Sequence, residues 1–241
     1  MQRRVAFAPG EYFHIYNRGA NKAKVFLDGA DYQRFLLLLY LANNTEVVHL
    51  SNLDRSRSHS KNEPFSIIRP EVLVDIGVYC IMPNHFHLLV RSRNDIGVSI
   101  FMKKLLTGYA MYFNKRHEHS GALFEGRFKA EHVANDRYLK YLFSYIHLNP
   151  LSLRYSEWKE KGIPNIKGAE EYLHSYRYSS FLDYAGVGRS EKVILTTSNF
   201  PDYFREAKDF KSFILDWLKI SSKYQGRSLI SRTDLDIGEE G

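Results

Sequence analysis

Residues 72–91 read as a hairpin whose return strand opens on a His-x-His pair, and that hairpin constrains the rest of the chain. Val72 to Met82 is strand-like, Pro83-Asn84 turns the chain, and His85-Phe86-His87-Leu88 begins the way back. Successive side chains of a strand point to opposite faces, so His85 and His87 share one face and Phe86 and Leu88 the other. Two imidazoles side by side are the beginning of a metal site. A second element, Tyr145-Ile-His-Leu-Asn149-Pro150, sets a tyrosine and an amide four residues apart, on one face of a helix.

The flanking segments build an alternating order of strands and helices. Glu11 to Asn17 alternates as a first strand, and Arg18-Gly19-Ala-Asn21 ends it with turn chemistry. Asp31 is placed to cap a helix through Tyr32 to Phe35 and the leucine run that follows. Residues 43–70 are polar and aperiodic, and are expected to form a mobile insertion. Apolar residues Ile100, Phe101, Leu105, Ala110 and Phe113 predict a helix from Ile96 to about Arg116, with Gly121 as its stop signal. Phe124 to Val133 is then extended, and Arg137 to Leu148 helical until Pro150 stops it.

The order β-α-β-β-α-β followed by a helix is the split βαβ pattern of ferredoxin-like sheets. The expected class is α+β, with a central antiparallel sheet, a helix carrying the active tyrosine after the last strand, and a helical C-terminal extension. A short helix closed by Gly186 and an amphipathic helix from Tyr203 to Lys219 are expected in that extension. The predicted divisions are 1–155 for the main domain, 156–225 for the extension, and 226–241 for a loose tail.

With 241 residues and 44% hydrophobic content the chain can bury a proper core. Its longest strongly apolar run, Phe35 to Leu41, is far shorter than the roughly 20 residues of a membrane span, and no apolar stretch follows the N-terminal arginines. A cytoplasmic, nucleoid-associated protein without a membrane partner is expected. The single Cys80 rules out an internal disulfide and any cysteine-based zinc ribbon, and is read as a buried, inert thiol. The net charge of +7 suits a polyanion. Most of it lies between Arg91 and Lys129, where eight basic residues stand against three acidic ones, interleaved with Tyr109, Tyr112, Phe113, Phe124 and Phe128. That mixture suits a nucleic-acid backbone plus base stacking. The candidate DNA contacts are Arg18, Lys103, Lys104, Lys115, Arg116, Arg127 and Lys129.

A His-x-His pair supplies two metal ligands, and an oxygen from a neighbouring helix completes three, leaving positions for water and substrate. Asn149 is the candidate third ligand. Two nitrogens with oxygen donors suit Mn²⁺, and Mg²⁺ where phosphates and water complete the octahedron; nothing here accompanies the pair as a zinc site requires. Tyr138, Tyr141, Tyr145 and Asn149 follow at steps of three, four and four along one helical stripe. Such a stripe serves either packing or chemistry, and because buried tyrosines each need a hydroxyl partner, a chemical role for at least one of them stands beside the packing reading.

With these residues in view, the chain resembles the REP-associated tyrosine transposases, single-tyrosine members of the HUH endonuclease superfamily with an IS200-like transposase domain. Five segments carry the resemblance in order: Tyr12-Phe-His-Ile-Tyr-Asn-Arg-Gly19, Met82-Pro-Asn-His-Phe-His-Leu-Leu-Val90, Tyr112-Phe-Asn-Lys-Arg116, Gly121-Ala-Leu-Phe-Glu-Gly-Arg-Phe-Lys129 and Tyr145-Ile-His-Leu-Asn-Pro150, with an echo in Ser175 to Ser180. The resemblance implies that His85 and His87 hold a divalent ion with Asn149, and that Tyr145 is the nucleophile. It implies cleavage and rejoining of single-stranded DNA beside a REP-like hairpin through a 5′-phosphotyrosine link, by a monomer or homodimer. Two further readings remain: a rolling-circle initiator using Tyr141 as well as Tyr145, and a domesticated DNA- or RNA-binding regulator that no longer cleaves. The 43–70 insertion and the C-terminal extension depart from the family pattern.

Overall fold

The computed structural model describes residues 5–46 and 63–223. Its strands are β1 (Tyr12–Arg18), β2 (Val74–Met82), β3 (His85–Ser92) and β4 (Lys129–His132). The main helices are α1 (Gly29–Leu41), α2 (Gly97–His117) and α3 (Asp136–Leu148). They are followed by α4 (Trp158–Lys161), α5 (Ile166–Ser175), α6 (Phe181–Tyr184) and α7 (Ala207–Lys223). The strands form one antiparallel sheet in the order β2-β3-β1-β4, which is the expected α+β split βαβ arrangement.

Both faces of the hairpin are covered. Phe13 and Ile15 of β1 and Phe86, Leu88 and Val90 of β3 join Phe101, Met102, Leu105 and Tyr109 of α2, with Phe35, Leu36 and Leu39 of α1, in the main core. On the other face Val78, Cys80, Met82 and Leu89 meet Leu139, Leu142, Phe143 and Ile146 of α3. Full burial of side chains this size contributes about 1.5–3 kcal/mol each, which anchors α3 against the sheet. β2 serves both cores by alternation, and a bulge between Ile76 and Val78 shifts the phase so that Val74 and Ile76 share the main core with Tyr79 and Ile81 while Val78, Cys80 and Met82 face α3. Gly77 sits in that bulge, where a Cβ would lie 2.5 Å from the Phe200 ring. Cys80 is buried, and burial pushes its thiol up, as an inert core residue requires.

The C-terminal part closes the free edge of β2. Ile81 N donates to Tyr178 O, Ser180 N to Tyr79 O, and Thr196 N to Ile76 O, at 2.9, 3.0 and 2.9 Å. The predicted helix over 175–186 is therefore split. Ser175 ends α5, residues 176–180 run along the sheet edge, and Phe181–Tyr184 is helical again, ahead of Gly186 at φ +83°. Backbone pairing with an open edge outweighs the helical spacing. α7 then lies behind α3, with Trp217 against Tyr141 and Phe210 against His147.

Several local expectations shift. Asp28, not Asp31, caps α1, accepting from Ala30 N and Asp31 N. Asp31 is buried and gripped by Arg116 and His117 of α2 at 2.6 and 3.0 Å. Burial alone would raise its carboxyl, but His117, the Leu27 N–H and Arg116 together hold it below the usual range. α2 ends on Glu118 in the left-handed region, three residues before Gly121. Only Lys129–His132 of the stretch 124–133 is strand. The ends of the 43–70 segment pack firmly: Asn43 bonds the backbone at Leu73 and Val74, and Arg69 stacks on Tyr40. The middle of that segment and the 226–241 tail lie outside the described residues. No helix among those described is long and apolar enough to cross a membrane.

His147 shows how tightly α3 is clasped from behind. Its Nε2 lies 2.8 Å from Ser180 Oγ among Phe181, Tyr184 and Phe210. Burial pushes its pKa down to about 3. The unfolded chain, with an ordinary value near 6.5, takes up a proton that the folded one refuses, so stability is full above that pH and falls as the pH drops towards 3. The slope is at most about 1.4 kcal/mol per pH unit. Urea unfolding of wild type and His147→Gln between pH 6.5 and 4.5 is expected to show a shallower loss for the variant.

Candidate functional site

β1, β3, β4 and α3 enclose a cleft of about 560 Å³ on the α3 side of the sheet. Period-2 alternation delivers His14 and Tyr16 from β1, His85 and His87 from β3, and Lys129 and Glu131 from β4 to that one face. The opposite wall is the stripe Tyr138, Tyr141, Tyr145 and Asn149. Asn135 sets the start of this helix by accepting from Tyr138 N at 2.8 Å. Leu139, Leu142, Phe143 and Ile146 fix its rotation by burying the neighbouring face. Pro150 stops the regular helix and begins a 3-10 turn, Asn149–Leu153, so Asn149 stands at the junction.

The two histidines of the pair hold their rings 5.1 Å apart and nearly perpendicular. His85 Nδ1 lies 2.7 Å from Asn84 Oδ1, and His87 Nδ1 lies 2.9 Å from His14 Nε2. Each ring therefore has Nδ1 engaged by a neighbour, and Nε2 is the nitrogen with which it would hold an ion. Asn149 Nδ2 donates to Tyr145 O at 3.2 Å, which makes Oδ1 its donor atom for a metal. Imidazole, imidazole and amide oxygen, with outer hydrogen bonds in place, form a donor set that fits a divalent cation. Among the described residues no cluster of three His, Cys, Asp or Glu is arranged to hold an ion.

Tyr145 stands over the histidines. Its ring is edge-on to His87 at 5.6 Å and to His14 at 6.0 Å. Tyr141 follows at 5.7 Å, wedged against Trp217, and burial pushes its hydroxyl up, against the phenolate form. Tyr138 turns its hydroxyl to Glu131 Oε2 at 3.4 Å. The three stripe tyrosines are thus chemically distinct.

Of the predicted site residues, Tyr145, His85, His87, Asn149, Arg18 and Lys129 all line the cleft, and Arg127 is exposed two residues before Lys129. Lys103, Lys104, Lys115 and Arg116 are on α2, across the sheet. Lys104 Nζ donates to the carbonyls of Asn44 and Glu46, and Arg116 pairs with Asp28 and Asp31. Arg91 and Arg93, counted in the basic stretch, both pair with the buried Asp75.

His14, Tyr16 and Glu131 were not among the sequence candidates. Alternation already puts His14 and Tyr16 on one strand face, but only the sheet order makes β1 the neighbour of both β3 and β4. Tyr16 donates to Glu131 Oε1 at 2.8 Å, and Glu131 Oε2 lies 4.0 Å from His14 Nδ1.

No curated protein matches the chain. A solved structure of a REP-associated tyrosine transposase bound to a REP hairpin aligns over 96% of this chain and 99% of its own, with 14% identity and a TM-score of 0.46. The family described as transposase IS200 like matches residues 53–149, and this supports a transposase role. The matched segment carries His85, His87, Tyr145 and Asn149, and over residues 53–149 the chain is similar to IS200-like transposases.

Proposed function

We propose that the protein cleaves and rejoins single-stranded DNA beside a hairpin, with Tyr145 as nucleophile. The observation that carries this reading is the edge-on contact of Tyr145 with His87, which joins a helix and a strand 58 positions apart in sequence at one polar cleft. A phenol next to a His-x-His pair, with an amide one turn further on, has the parts for phosphodiester exchange.

His85 and His87 through Nε2, and Asn149 through Oδ1, would hold Mg²⁺ or Mn²⁺, which when bound withdraws charge from the scissile phosphate. Tyr145 Oη attacks the phosphorus, forming a Tyr–O–P bond to the 5′ phosphate of the fragment on the 3′ side of the cut as the P–O3′ bond breaks. The phenol's proton is lost to solvent, and the departing 3′ oxygen gains one to become a free hydroxyl. Bond types are conserved, so the strand can be rejoined by the reverse step. Arg18 and Lys129, at the cleft, contact phosphates, and the hairpin partner follows the family resemblance.

A rolling-circle mechanism would use Tyr141 as well, but its ring packs against Trp217 while Tyr145 meets His87 and His14. With an oligonucleotide labelled on the 3′ side of the cut, wild type and Tyr141→Phe are expected to retain label on the protein in a denaturing gel. Tyr145→Phe, which keeps the ring and loses only the hydroxyl, is expected to lower adduct formation by about 10³-fold or more while binding DNA normally. An adduct formed by Tyr145→Phe and not by Tyr141→Phe overturns the assignment.

The two classes of lysine separate in a salt titration. Lys129→Ala is expected to reduce the slope of log affinity against log salt by about one for a hairpin with a single-stranded flank. Lys104→Ala, whose ammonium is engaged by two backbone carbonyls on the far side of the sheet, leaves that slope unchanged.

A further inference from the structure

Behind the His-x-His pair stands a polar chain that runs from strand to strand across the sheet. Glu131 of β4 accepts hydrogen bonds from Tyr16 at 2.8 Å and Tyr138 at 3.4 Å. Its Oε2 faces His14 Nδ1 at 4.0 Å, and His14 Nε2 meets His87 Nδ1 at 2.9 Å. His14 and His87 are both buried, on adjacent strands, with rings 5.1 Å apart and 20° from parallel. β1, which carries His14, lies outside the 53–149 segment matched to the transposase family.

The order of protons along this chain follows from its anchor. The Glu131 carboxylate, 4.0 Å away and beyond hydrogen-bond distance, attracts an N–H electrostatically, which favours the proton of a neutral His14 on Nδ1, the nitrogen facing it. Nε2 of His14 is then an acceptor, so the proton shared with His87 belongs to His87 Nδ1. The His87 lone pair is left on Nε2. We propose that Glu131 and His14 act as positioning residues, fixing His87 in the Nδ1–H tautomer so that Nε2 is presented to a divalent cation. The inference rests on the reading of His87 as a ligand and adds what sets its tautomer and orientation. Such outer partners of a ligating histidine are typically worth 10- to 100-fold in metal affinity.

The test uses the full chain with ¹⁵N-labelled histidine. Long-range ¹H–¹⁵N spectra of the metal-free protein are expected to show His87 protonated at Nδ1, and His14→Ala to mix its two tautomers. Mn²⁺ titration followed by electron paramagnetic resonance is expected to give a Kd 10- to 100-fold weaker for His14→Ala, with metal-free hairpin affinity unchanged. His14→Gln, whose amide oxygen can reach the place of Nε2, is expected to recover most of the loss, which a merely space-filling role would not produce. His87 protonated at Nε2 in wild type, wild-type Mn²⁺ affinity in His14→Ala, or no recovery in His14→Gln overturns the proposal. Absence of Mn²⁺ binding by wild type overturns it together with the metal reading. Binding of Mn²⁺ with the expected tautomer but no covalent adduct overturns the role of Tyr145 and leaves this inference standing.

Discussion

The pairing of β1 between β3 and β4 is the interaction on which the rest of this molecule depends. Phe13 and Ile15 on one face complete the core under α1 and α2, while His14 and Tyr16 on the other face become neighbours of His87 and Glu131. A slip of one residue in that register would send the histidine into the apolar core and the phenylalanine into the cleft. Core and chemistry are therefore set by the same ladder of backbone hydrogen bonds, and neither can change without the other.

α3 is held from two sides. The sheet takes Leu139, Leu142, Phe143 and Ile146, while α6 and α7 take His147 and the far edge of Tyr141. The clasp leaves the Tyr145–Asn149 edge as the part of the helix turned to the cleft. Segment 176–180 contributes by pairing along β2, so the C-terminal part both seals a sheet edge and backs the tyrosine helix. A rigid support of this kind lets a side chain act as a fixed nucleophile, because groups held by packing lose little freedom when substrate arrives.

Charge is distributed by the same logic of satisfied partners. Buried Asp75 draws the guanidinium groups of Arg91 and Arg93 to itself, and buried Asp31 the Arg116 guanidinium and the His117 ring. Much of the basic stretch is thereby spent on holding the fold, since an unpaired buried carboxylate would be costly. Arg18 and Lys129 remain at the cleft, where the proposed DNA backbone would lie.

Alternation, helical spacing and turn residues are local properties, and they were enough to write the β-α-β-β-α-β order, the shared face of His85 and His87, and the stripe from Tyr138 to Asn149. The cap of α1, the splitting of 175–186, and the fate of Arg116 and Lys104 were not legible, because each turns on a partner far away in the chain: Arg116 for Asp31, the β2 edge for Ser179 and Ser180, the Asn44 carbonyl for Lys104. Glu131 lies in no motif, and His14, though inside the first resembling segment, had no role assigned to it there. By itself the sequence determined which residues share a face, since a strand's period is fixed by its backbone. Only the tertiary structure decided which faces meet, since strand order and register come from burying both sides of one sheet at once.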